Sequence, residues 1–310
     1  MTAALLALCV APDATALPPA ERSWEIQLSM YGWLAGLNAD IEAGDVETEI
    51  DASFRDILKD LGWAVFGGLE ARYERFVLLT DAMGMQLVTD ESGSPRTRSF
   101  QRFANGPGGD VRFGEYDVHS RLTTWMLDVK PGLRVLSHPI GGLFGGAEQA
   151  DDPRRLDVDL LAGFRYWNVT NKTGVEIEPA SLTVGGQPAA LPGLVADRID
   201  IDGKVNVPGA FLRGVDRAKQ DTVDWLDPLV GLRVTADVTQ RWSVFALGDV
   251  GGWGVANASD LTWQAMLGSQ LQLSEHWALR AGYRALGVNR DTAFDDGILH
   301  GPQIGAVFRF

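Results

Sequence analysis

Long runs in which every second residue is apolar while its neighbours carry charge constrain this chain more than any other feature. In the last stretch, Pro302, Ile304, Ala306, Phe308 and Phe310 share one face of an extended chain, and Gln303, Gly305, Val307 and Arg309 share the other. The alternation is longest where Thr123, Trp125, Leu127, Val129, Pro131, Leu133 and Val135 oppose Thr124, Met126, Asp128, Lys130 and Arg134. No such run is apolar on both faces, as the core of a parallel sheet would be. A sheet of this kind separates two media, and closing it into a barrel removes its edges.

The same period recurs along the chain. Trp24, Ile26, Leu28 and Met30 alternate with Glu25, Gln27 and Ser29, and Trp33 falls in phase with the polar set. The first strand continues loosely through the acidic positions Asp40, Glu42, Asp45, Glu47, Glu49 and Asp51. Further runs begin at Trp63, Phe76, Leu156, Leu226, Trp242, Leu261 and Trp277. Glu74-Arg75, Thr239-Gln240-Arg241 and Ser274-Glu275-His276 are tight turns, each followed at once by Phe76, Trp242 or Trp277. Thr89–Glu115 and Asn171–Gln220, rich in Gly, Pro and polar residues, are expected to be long loops. Ser53–Gly62, with Ser53 and Asp56 placed as a capping box, predicts one short amphipathic helix in an early loop.

The expected fold is all-β: a single closed antiparallel transmembrane β-barrel over residues 17–310, with ten strands, or twelve if Asn171–Gln220 holds a further wall hairpin. The patterns alone leave open whether the apolar face points outward to lipid or inward to a soluble core. Aromatic residues at strand ends, the alternation of tight turns with long loops, and the chain ends favour lipid outside. Met1–Ala16 reads as a signal peptide, with an apolar core and Ala14-Thr15-Ala16 as a small-residue cleavage site, though without a basic lead. No apolar run approaches the roughly 18 residues of a spanning helix. The single cysteine, Cys9, forbids an internal disulfide, and the formal charge of −14 supplies no basic stripe for nucleic acid.

The later half carries Trp225-x-Asp227-Pro228-x-x-Gly231-x-Arg233, a Ser274-Glu275-x-Trp277 turn and a Gly301-Pro302-x-x-Gly305-x-x-Phe308-Arg309-Phe310 ending. In these the chain resembles uncharacterised proteobacterial outer-membrane barrels with a C-terminal Phe signal. The resemblance implies a bacterial outer-membrane location and a fold, with both termini periplasmic. It implies no activity and no catalytic residues.

In this register the charges expected to face the lumen are Glu70, Arg72, Asp81, Asp128, Lys130, Arg134, Asp157, Asp159, Arg165, Asp227, Arg233, Asp237, Asp249, Arg280 and Arg284, with Arg309 in the last strand. They read either as an ion path or as mutually paired side chains filling a narrow interior, and a small strand number favours the second. Trp24, Tyr73, Phe76, Trp242, Trp277, Phe308 and Phe310 are the expected interfacial aromatics. Four histidines offer no forced catalytic constellation: His138 and His276 fall in turns, and His119 and His300 near the opposite strand ends. No metal, cofactor or catalytic residue is assigned. The expected partners are outer-membrane lipid, lipopolysaccharide and, through the C-terminal strand, the barrel-assembly machinery. The role is structural or that of a narrow passive pore for small solutes. A surface-binding barrel using its long loops, or a rim hydrolase, is the alternative.

Overall fold

The computed structural model describes residues 24–43, 46–100, 109–140, 154–189, 198–201, 205–208, 214–290 and 294–310. The signal segment Met1–Ala16 lies outside them. The chain begins with β1 (Glu25–Trp33), β2 (Gly36–Ala43), β3 (Val46–Ala52), α1 (Phe54–Asp60), β4 (Leu61–Tyr73) and β5 (Phe76–Gly93). It continues with β6 (Arg96–Phe100), β7 (Gly109–Phe113), β8 (Tyr116–Pro139), β9 (Arg155–Ile177), β10 (Ser181–Val184) and β11 (Gln187–Ala189). The remainder is β12 (Arg198–Ile201), β13 (Val205–Pro208), β14 (Val215–Asp237), β15 (Trp242–Gly252), β16 (Leu261–Gln272), β17 (Trp277–Arg290) and β18 (Phe294–Arg309).

The wall runs β1-β4-β5-β8-β9-β14-β15-β16-β17-β18, antiparallel throughout, and β18 pairs back on β1. Ten strands thus close the sheet, with β2 prolonging β1 along β18 after a break at Leu34–Ala35. Closure is tied at the chain ends, where the Phe310 N–H donates to the Ile26 carbonyl. At two outward-facing positions a tryptophan on one strand covers a glycine directly opposite: Trp125 over Gly84 and Trp263 over Gly287. A Cβ added at either glycine would collide with the indole, so the missing side chain is filled from across the ladder.

Several expectations need correction. The twelve-strand alternative is not realised: β10–β11 and β12–β13 do form hairpins, but β10–β11 joins β6 and β7 in a separate sheet and β12–β13 stands alone. Thr89–Glu115 is not a loop throughout, because β5 runs to Gly93 and β6 and β7 follow; likewise β9 persists to Ile177 and β14 starts at Val215. These extensions are mostly polar, with Val175, Ile177 and Val215 among few apolar residues, so the alternation weakens there, and ladder pairing such as Ser92↔Asp117 and Asp221↔Asn171 holds them. The acidic continuation of the first strand is a hairpin of β2 and β3 rather than one strand. Nor is the capping box formed: the Ser53 hydroxyl donates to the Asp56 carboxylate at 2.6 Å instead of accepting from the backbone. α1 has no buried residue and packs against β2, β3 and β5.

Candidate functional site: a two-layered lumen

The interior is read most directly from contacts that no neighbouring strands could make. Lys130 Nζ on β8 lies 2.6 Å from Asp249 Oδ2 on β15, although β9 and β14 separate those strands in the wall. Such a bond must cross the inside. The outward phase is apolar instead: Met30, Leu127, Leu133, Leu160, Leu226, Leu267 and Leu279 are all exposed.

Among the expected lumen charges, the structure first gathers a middle layer. Arg165, fully buried, forms a two-bond pair with Asp128 at 2.7 and 3.0 Å and reaches Asp249 at 3.0 Å and the Thr262 hydroxyl at 2.9 Å. Lys130 bridges Asp128 and Asp249 from the other side. Arg284 donates to Asp81 at 2.8 Å and to Gln264 at 2.6 Å, and the Tyr31 hydroxyl donates to Asp81 at 2.7 Å. Three cations thus meet three carboxylates with their hydrogen bonds largely made. That is the condition under which buried charge is tolerated.

Toward the end that carries the chain termini and the tight turns, a second charged group surrounds a cavity of about 1180 Å³. Glu70 receives Arg72 and Arg233, and Asp159 receives Arg233 at 2.6 Å and Arg134 at 3.0 Å. Arg134 also pairs with Asp157 at 2.7 Å. Arg280, Asp237 and Arg309 line the same space.

Toward the opposite end the lumen is apolar. Trp33, Met83, Met126, Trp167, Trp225, Leu286 and Val288 pack into one buried cluster, with Tyr31, Phe66, Val169, Val223 and Leu299 against it. Trp167 and Trp225 stack with ring centroids 5.6 Å apart, and Trp167 Nε1 is buried without a partner among the described residues. The Arg284 guanidinium sits 4.9 Å from the Trp33 ring centre and joins the charged layer to this stopper.

Asp227 departs from the expected role. Buried in the lumen phase, it accepts from the Ser259 backbone N–H at 2.6 Å, the Ser259 hydroxyl at 3.1 Å and Trp225 Nε1 at 3.1 Å. It therefore latches the 253–260 loop over the stopper. Arg290 holds the same loop through Asn257, whose amide also reaches the Asp224 carbonyl at 3.0 Å. Trp253 and Ala256 adopt positive φ of 61° and 57° to make the inward fold. The motif beginning at Trp225 acquires a physical reading here. Trp225 seals, Asp227 latches, Arg233 pairs, and a Cβ at Gly231 would press on Asp249 at 2.9 Å.

The expected interfacial aromatics collect at the termini end. Trp24 and Tyr73 lie 5.0 Å apart, and Phe308 meets both Trp277 and Phe310 at 5.0 Å. Trp24, Phe76, Trp242, Trp277 and Phe310 are exposed, while Tyr73 and Phe308 are half-buried. Near the far end Trp63 and Trp125 pair at 5.3 Å, a second aromatic edge absent from the expected set.

The histidines stay apart. His119 Nδ1 bonds Asp90 at 2.8 Å, whereas His300 lies between Tyr283 at 2.6 Å and Asn38 at 3.2 Å, all exposed. Among the described residues no group of three or more His, Cys, Asp or Glu is set to hold a metal. The side chains of the acidic stretch from Asp40 to Asp51 lie outside the described residues.

No protein-family model matches the chain, and no curated protein sequence matches it. Solved structures similar to it include the outer membrane protease OmpT from Escherichia coli, at 9% identity and TM-score 0.47, over 96% of this chain and 99% of that one. The translocator domain of the autotransporter NalP from Neisseria meningitidis follows, at 12% identity and TM-score 0.34, over 94% and 90%. Ail, the attachment invasion locus protein of Yersinia pestis, matches at 10% identity and TM-score 0.28, over 94% and 100%.

Proposed function

We propose that the chain is an integral outer-membrane barrel with both termini periplasmic and a lumen stoppered on its outer side. Its role is structural, or passage of small polar solutes restricted to moments when the stopper yields. The observation that supports this reading best is the contrast across the wall: exposed leucines and aromatics outside, a cross-lumen ion network inside. A soluble barrel would reverse that arrangement, since leaving so much apolar surface in water is unfavourable by about 25 cal/mol per Å². The terminal strand, ending on the exposed Phe310, would present itself to the barrel-assembly machinery, and the outer rim to lipopolysaccharide.

Membrane fractionation with a heat-modifiable gel shift tests the location. Planar-bilayer recording tests the lumen. The purified protein should be silent or flicker rarely, whereas a steady open conductance would overturn the stoppered state.

A second reading rests on strand length. β8, β9 and β14 have 24, 23 and 23 residues where β15 and β16 have 11 and 12, and about 9–11 suffice to cross a bilayer. The surplus projects as a stalk whose connected hairpins, β10–β11 and β12–β13, are suited to contact with another molecule at the cell surface. Deleting residues 181–208 should then abolish adhesion to lipopolysaccharide-bearing vesicles while sparing the gel shift; retained adhesion would exclude it.

A further inference from the structure

The cavity at the termini end carries a charge bias opposite to that of the chain. The whole sequence is formally −14, yet ten of the cavity's lining side chains are Arg or Lys and six are Asp or Glu. Asp128, Asp159 and Asp249 stand just behind the lining and are already shared among Lys130, Arg134, Arg165 and Arg233. Counting them together with Arg165 leaves eleven cations against nine carboxylates.

The shortfall is localised. Glu70 already serves Arg72 and Arg233, and Arg280 stands 3.8 Å from it. Arg280 instead donates to the neutral Gln270 carbonyl at 2.9 and 2.7 Å. Arg309 Nε is buried with no hydrogen-bond partner among the described residues. A guanidinium cannot shed its proton to escape such a site, so Nε lacks an acceptor, and an anion would supply one. Alongside, the Phe245 ring centre lies 5.4 Å from the Arg280 guanidinium carbon, and Leu247, Met266 and Val307 line the same side. Unmet positive charge at Arg280 and Arg309 beside an apolar wall fits an organic anion with a greasy body.

We propose that this cavity binds a small organic monocarboxylate, its carboxylate between Arg280 and Arg309 and its apolar part against Phe245 and Met266. The inference rests on the barrel reading above, since the ligand enters from the termini end of a lumen closed beyond it.

The test uses the full chain refolded in detergent, with the heat-modifiable gel shift run on each sample so that failure of the barrel is seen separately from failure of the site. The probe is 4-fluorobenzoate followed by fluorine NMR. A folded barrel should broaden the probe saturably, and benzoate should displace it while benzyl alcohol does not. R280Q and R309Q should each weaken binding at least about tenfold, the loss of one charge-assisted contact, and R280K should weaken it less. A folded barrel that shows no saturable binding, or wild-type affinity in R280Q or in R309Q, overturns the proposal. So does displacement by benzyl alcohol or inorganic phosphate as effective as that by benzoate.

Discussion

The termini half and the loop half of the lumen share ten strands and one inward phase, yet they are made of opposite materials. Below the middle layer, inward positions carry Glu70, Arg72, Arg134, Asp159, Arg233 and Arg280; above it the same strands supply Phe66, Met126, Trp167, Trp225 and Leu286. The difference follows from access to water. Short turns leave the lower half open as a cavity, where charges can be hydrated as well as paired. The loop latched by Asp227 closes over the upper half, where charge would lie dry, and large apolar side chains fill it at lower cost. Inward does not mean polar in a barrel this narrow.

The largest effect is expected at the boundary. Arg165→Ala strands Asp128 and Asp249 beside a single lysine, and urea unfolding in detergent should show a loss of about 3–5 kcal/mol. Wild-type stability would mean that the charged layer does not hold the two halves together. Next, Trp225→Ala should cost about 3 kcal/mol through the void it leaves and should turn a silent bilayer recording into discrete openings. If openings stay absent, the apolar half is not the seal.

Asp227→Asn keeps the shape of the latch but opposes a donor to Trp225 Nε1, at about 1–2 kcal/mol, and limited proteolysis should then cut within 253–260. The smallest effect lies on the polar extension of β8, beyond both halves. There the hydrogen bond and charge of Asp90 raise the His119 pKa above the usual imidazole value. The contribution of that pair is complete below the ordinary histidine range and fades as pH rises through the raised value. NMR titration should place His119 above the ordinary imidazole value, and Asp90→Asn should bring it down.

Much of this was legible in the sequence because register is a period-2 property. Asp128, Arg165, Asp249 and Arg284 fall in the inward phase by counting alone, and so do Trp33, Met126 and Trp167. Those three were the available signal for the stopper, as bulky residues in phase with the charges. Which groups meet was not legible, since Lys130 finds Asp249 only through the stagger of the closed wall. Strand ends were lost where both faces stand in water, as around Ser92 and Asp117 in β5 and β8. The inward-folded loop was hidden as well: Gly252 and Gly254 mark a turn, but the hold of Asp227 on Ser259 and of Arg290 on Asn257 comes from distant strands.

Tryptophan quenching in bilayers of brominated phospholipid tests the arrangement most directly. Trp125, exposed on the outer face, should account for part of the quenched emission, so Trp125→Phe should reduce it, while Trp167→Phe, which removes a buried ring, should leave the quenched component unchanged. Emission untouched by the bromines, or quenching that disappears with Trp167 and survives without Trp125, would contradict a wall that faces lipid outside and seals itself within.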